Sequence, residues 1–176
     1  MPRLPKPPPL PSEILFRVIR IAGLDGRLVL WTSGAFALIS AAGHFSLGAL
    51  TGLAAAGTGA IEVHGATLLA RTDSRGLNWA IRAQLLLLLT ILFYCIARLM
   101  TFDPVFIRSQ LTPDIQAYIA QSGMTTDQFI ILMRQFWLVA YIVVAVVSVI
   151  YQGGLAVYYA RRRQAINQAL EQMGTS

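Results

Sequence analysis

The sequence calls for an all-α membrane protein: a four-transmembrane-helix bundle led by an N-terminal amphipathic helix lying in the membrane interface. Three observations carry this reading. Hydrophobic residues make up 56% of the chain and charged residues 12%, about half the roughly 25% of an ordinary soluble domain, which excludes a freely soluble globule. From Leu28 to Ala70, Glu62 is the one formally charged residue; the tract is too long for one membrane span and suits two of about 20 residues each. Finally, eleven of the fourteen Lys and Arg residues fall in three clusters beside apolar runs. Lipid tolerates no unsatisfied backbone, so the spans are helices.

The elements follow in order. Residues 1–11 hold six of the eight prolines and predict an extended, disordered tail. Its Pro-x-x-Pro spacing also suits a partner domain. Met1 to Pro9 lacks the apolar core of a signal peptide. Ser12 is a good N-cap residue for a helix over 12–26. In it Ile14, Leu15, Val18, Ile19 and Ala22 recur on one face and Glu13, Arg17 and Arg20 on the other. A basic amphipathic helix before a span lies in the interface with its arginines near anionic headgroups, and Gly23-Leu24-Asp25-Gly26 ends it.

The four-span bundle occupies residues 27–161. Span one covers about 28–42 and span two about 47–70, with the reversal at Gly43-His44-Phe45-Ser46. A polar turn, Arg71 to Gly76, leads to span three, about 77–100. The outer loop, 101–126, contains Thr112-Pro113-Asp114, a helix start with Thr as cap and Pro at the first helical position; the short helix it opens ends at Gly123. Thr125-Thr126-Asp127-Gln128 fits a capping box and opens the longest helix. That helix carries span four, about 136–159, and continues through Arg161-Arg162-Arg163 into a helical tail over 162–176.

Orientation follows from charge. The N-terminus, the turn between spans two and three and the C-terminus share one side and hold Arg3, Lys6, Arg17, Arg20 and Arg27, then Arg71, Arg75 and Arg82, then Arg161, Arg162 and Arg163. The other side has Arg98, Arg108 and Arg134, balanced by Asp103, Asp114 and Asp127. The positive-inside rule makes both termini cytoplasmic, in a cell or inner membrane. The net charge of +6 therefore serves topology. Nucleic-acid binding would need a basic face with interleaved exposed aromatics, and none is visible.

The residue that stands out is Glu62, since bare charge within a membrane is costly and an intramembrane acid marks a function or a partner. It lies about 13 Å from the inner end of its helix, Gln84 about 10 Å and Gln152 about 13 Å from theirs, at about 1.5 Å per residue. Three polar side chains from three helices thus share a depth, with Tyr151 adjacent. Ala55, Gly59, Ala66 and Leu69 lie on the face of Glu62, so it points into the bundle. Two readings stand. One is a proton or cation site; the other is a hydrogen-bonded clasp of Glu62 with Gln84, or with Arg82 about one turn nearer the surface. Polar contacts in membrane bundles average only about 0.6 kcal/mol, so a clasp adds specificity more than stability.

Other chemistry finds little support. His64 sits nearly opposite Glu62 on its helix, and His44 lies in the outer turn, so no metal site is assembled. Cys95 has no second thiol in the chain and reads as a small buried hydrophobe. No serine has a neighbouring His and acid, and there is no phosphate-cradling loop. Gly48-x-x-x-Gly52 with Ala55-x-x-x-Gly59 marks a close helix contact within one subunit or between two. Gly153-Gly154 reads as a packing notch or a hinge. Trp31 and Trp79 on the inner side, Trp137 on the outer side, and Tyr158 with Tyr159 suit interfacial belts. Arg98 and Arg134 either snorkel outward or face one anionic ligand together.

The expectation is a small polytopic membrane protein without catalytic residues, cofactor or metal, acting as an accessory or assembly subunit through its small-residue faces. The rival is an oligomeric channel or carrier with a proton or cation site at Glu62. Its partners are the lipid bilayer and a second copy or another membrane protein, not nucleic acid.

Overall fold

A computed structural model describes residues 10–174 and is helical throughout, with no strand among the described residues. Seven helices follow in order: α1 (Pro11–Ala42), α2 (Ser46–Ala70), α3 (Arg75–Met100), α4 (Pro104–Ser109), α5 (Pro113–Gln121), α6 (Thr126–Arg161) and α7 (Arg163–Gly174). Three of them, α2, α3 and α6, are long and apolar enough to cross a membrane. α1 is not among these: Asp25 and Arg27 sit inside it, and the uncharged run that follows stops at Ala42. The proline-rich segment lies outside the described residues up to position 9, and Pro11 already belongs to α1.

α1 departs most from expectation. The break at Gly23-Leu24-Asp25-Gly26 does not exist; one helix of 32 residues runs through it. Glycine weakens a helix by only about 1 kcal/mol, and here tertiary contact outweighs that, because Gly26 lies against the α2 backbone and a Cβ there would meet Gly59 O at 2.9 Å. Ser12 does not cap the helix either. The N-cap position is Leu10, without a side-chain cap bond, and Pro11 opens the first turn.

The apolar face of residues 14–22 does not lie free in an interface. Leu15, Val18 and Ala22 are buried with Ala66 and Leu69 of α2, Leu77 and Ala80 of α3, Tyr159 of α6, and Ile166, Ala169 and Leu170 of α7. The C-terminal helix folds back and covers α1. It is a separate element because α6 stops at Arg161 and Arg162 forms its C-cap. The Arg163 guanidinium then donates to Asn78 Oδ1 of α3 at 2.6 Å.

α1 and α2 form an antiparallel pair joined at Gly43-His44-Phe45, where His44 takes a left-handed φ of 59°. The pair is packed backbone to backbone. A Cβ on Gly48 would reach Ser40 Oγ at 2.8 Å, one on Gly52 would reach Ala37 N at 2.8 Å, and one on Gly59 would reach Gly26 O and Leu30 N at 2.6 Å. Ala55 is buried between Gly52 and Gly59. The small-residue stripe is therefore occupied by α1 of the same chain. α2 turns into α3 through Arg71–Ser74, where Asp73 accepts from the Arg75 backbone and side chain; those bonds hold its carboxyl below the usual carboxylate range. Beyond the turn Gly65 of α2 meets Gly76 of α3.

At the other end of the bundle Asp103 caps α4, a short helix outside the expected elements although Asp103-Pro104 carries the same start signal as Thr112-Pro113, and Thr112 caps α5. Thr125 and Gln128 close a reciprocal capping box at the start of α6. Gly153 and Gly154 sit within α6 with nothing within 4 Å of where a Cβ would stand. No other helix of this chain packs into that pair, and α6 runs through it unbroken. α6 packs along α3 and reaches α1 and α2 through the hydroxyls of Tyr151 and Tyr159.

Candidate functional site

The site lies where α1 and α2 approach most closely. Gly26 follows Asp25 on α1, Gly59 precedes Glu62 by one turn on α2, and these two glycines touch. Removing both Cβ atoms brings the backbones together and points the two neighbouring carboxyls into one volume. Glu62 is 1% exposed and Asp25 7%. The Gly26–Gly59 contact sets the two acids on facing stretches of α1 and α2, and Gln84 of α3 reaches Asp25.

Each acid is held by donors from other helices. Gln84 of α3 donates from Nε2 to Asp25 Oδ2 at 2.8 Å. Tyr151 of α6 donates its hydroxyl to Asp25 Oδ1 at 2.9 Å. Tyr159 of α6 donates to Glu62 Oε1 at 3.0 Å. Gln152 stands on the same stretch of α6 and is buried. The Oε1 atoms of Gln84 and Gln152 are both shut away from solvent without a hydrogen-bond partner. Native proteins leave few buried polar atoms unpaired, so each of these asks for an explanation.

Among the described residues, no cation forms an ion pair with either acid. The ion pairs among the described residues are Arg75 with Asp73 and Arg108 with Asp127, both remote from this site. Arg82, a candidate partner of Glu62, is turned away: it is exposed, with its guanidinium 5.8 Å from the Trp79 ring centre. Its place beside Glu62 is taken by Tyr159. Among the described residues, no three His, Cys, Asp or Glu side chains come together. His64 is exposed and meets Trp79 edge to face at 6.0 Å.

Thus Glu62, Gln84 and Tyr151 come together, Gln152 stands beside them on α6, and Arg82 is excluded. Two further members, Asp25 and Tyr159, were not anticipated. Reading Gly23–Gly26 as a break removed Asp25 from any helix. Its signal was present all the same: Leu15, Val18, Ala22 and Asp25 follow at intervals of three and four, so the apolar stripe runs straight into the acid. Tyr159 reads as part of an interfacial belt until its spacing of seven from Gln152, two helical turns, places it on the same face.

A second feature lies toward the His44 end. A cavity of about 340 Å³ is lined by Ser40, His44, Gly48, Tyr94 and Arg98 among others. The Arg98 guanidinium stacks 4.6 Å from the Trp137 ring centre and donates from Nε to Tyr141 Oη at 3.3 Å. Trp137 donates from Nε1 to Arg98 O at 3.0 Å. Arg134 lines a different cavity with Phe102 and Ile131, so the two arginines do not converge on one ligand. Below the first cavity a groove of about 270 Å³ lies among all four long helices, lined by Thr32, Ser33, Thr51, Ala55 and Val144, and it shares Phe36 and Tyr94 with the cavity above. Comparison with protein-family models, curated proteins and solved structures finds no match.

Proposed function

We propose that this is an integral membrane protein of four crossing helices, with both termini cytoplasmic, that acts as a non-enzymatic accessory or assembly subunit. The fourth crossing follows from packing. Residues 26–40 of α1 lie alongside residues 48–59 of α2, so a bilayer that receives α2 receives that part of α1 as well. Asp25 and Glu62 face the interior, where intramembrane acids are almost always found. The basic clusters at the two ends and in the α2–α3 turn favour the cytoplasmic side for all three.

The observation that carries the subunit role is the outer face of α6. Val143, Val147 and Ile150 are more than half exposed there, and the helix packs chiefly along α3. Such a face needs lipid or another apolar helix, since water would penalise it by about 25 cal/mol per Å². The bilayer can fill that need, and so can a partner membrane protein or a second copy. The α2 stripe of small residues already faces α1, so it is not the side offered to a neighbour. Affinity purification from native membranes in mild detergent tests this. A stoichiometric membrane partner or a second copy is expected, and Val143→Trp with Val147→Trp should release it without loss of helix content. Purification of the wild-type chain alone and monomeric would overturn the subunit role.

One observation favours the second reading, a channel or carrier. The second acid, Asp25, gives Glu62 an uncompensated neighbour of the same charge, an arrangement that needs a bound proton or cation.

A further inference from the structure

We infer that Asp25 and Glu62 form a carboxyl pair that binds a single proton, exchanged with the non-cytoplasmic face along the groove between α1 and α6. This deepens the second reading above and rests on the membrane placement proposed there. The inventory of donors carries it. Three of the four carboxyl oxygens accept a bond: Asp25 Oδ2 from Gln84, Asp25 Oδ1 from Tyr151, and Glu62 Oε1 from Tyr159. The donor seen on Glu62 among the described residues is Tyr159, at Oε1, while Gln84 Oε1 is a buried acceptor with no donor. Gln84 is 0% exposed, and its amide already donates to Asp25. A proton on Glu62 removes one of two like charges and adds an O–H donor to a layer in which Gln84 Oε1 has none. No other bond forms or breaks; the proton arrives from and returns to water.

The surroundings name every group that bears on it. α1 contributes Asp25; α3 contributes the neutral Gln84; α6 contributes Tyr151 and Tyr159 as donors. Arg27 and Arg82, the nearest arginines in sequence, are exposed and face away. A metal cation fits less well, because donors already occupy three of the carboxyl oxygens that would ligate it.

The route is built from the cavities. The one holding His44 and Arg98 shares Phe36 and Tyr94 with the groove, whose lining reaches Ala55. Ala55 is seven residues, about 10 Å along the helix, before Glu62. Thr58, Ser148 and Gln152, all buried and polar, stand in the interval. The cytoplasmic side is closed instead by the apolar cluster of Leu15, Val18, Leu69, Leu77 and Ile166.

Infrared difference spectroscopy of the full chain in proteoliposomes tests the proposal, with pH set separately on each side. The expected result is one protonated-carboxyl band that titrates with outer pH. It should be absent from both Glu62→Gln and Asp25→Asn, unmoved by exchanging sodium for choline, and slowed in its response by Val144→Trp, at an exposed position of the groove lining. Tyr159→Phe, which introduces no charge, keeps the test open if the acid variants fail to fold: it should shift the pH at which the band disappears. A band that persists in Glu62→Gln, a response to sodium, or a band that follows inner pH alone would each overturn the proposal. Extraction of the chain by alkaline washing of membranes would overturn the membrane placement, a failure separable from any of these.

Discussion

The site depends on the absence of two methyl groups. Gly26 and Gly59 touch, and the acids beside them depend on that contact. Gly59→Ala places a Cβ 2.6 Å from backbone atoms of α1, which no side-chain rotation relieves. Overpacking of this kind costs about 1–3 kcal/mol or more. Gly57→Ala, two residues away with nothing within 4 Å of its Cβ, should be neutral or stabilising by up to about 1 kcal/mol. Thermal unfolding in detergent, followed by circular dichroism, checks the contrast: equal midpoints for the two variants would mean that α1 and α2 do not meet at Gly59. The pair also separates the stripe's role inside the chain from one between chains, since dilution should leave the cost unchanged.

For the helices, the lesson lies in α1 and α7. A basic amphipathic segment next to an apolar run reads as a membrane-surface helix, because nothing in its own periodicity says what will cover it. Here α7 covers it. Ile166 is fully buried against the α1 face, so Ile166→Ala should destabilise by about 2–5 kcal/mol. The exposed Asn167→Ala next to it should cost within about 0.5 kcal/mol. If both variants unfold together with wild type in chemical denaturation, α7 is not docked on α1. α6 presents the opposite case: its continuous valine-rich run is legible as a membrane helix from composition alone, whereas its reach to the acids through Tyr151 and Tyr159 depends on how it leans against α3.

Across the molecule, the polar layer places Asp25, Glu62, Gln84 and the α6 tyrosines between an apolar cluster at one end and the arginine-bearing cavity at the other. That asymmetry predicts a sidedness that labelling can read. With Cys95 replaced by Ala, single cysteines at Thr72 and Gln168 should react with a membrane-impermeant maleimide only from the cytoplasmic side, and one at Gln110 only from outside. Labelling of Thr72→Cys and Gln168→Cys from opposite sides would mean that α3 or α6 does not cross, and would break the four-crossing arrangement; a cysteine at Ser12 labelled from the side opposite to Thr72→Cys would leave α1 as the non-crossing helix. Cys95 is buried within α3, so its replacement should leave the fold intact.

Apolar runs, proline placement, capping motifs and clustered arginines are local properties, and they were enough to give an all-helical chain with membrane-length elements. Thr125 and Gln128 announce their own capping box because every atom of it lies within four residues. The same locality explains the failures. Gly23-Leu24-Asp25-Gly26 has the composition of a break and becomes mid-helix because another backbone lies against it. Arg82 stands about one turn and Tyr159 about two turns from the depth of Glu62, yet the packing of each helix turns the first outward and brings the second onto the carboxyl. Hydropathy is additive along a sequence, whereas partnership between buried polar atoms depends on which faces meet, and only the packed helices fix that.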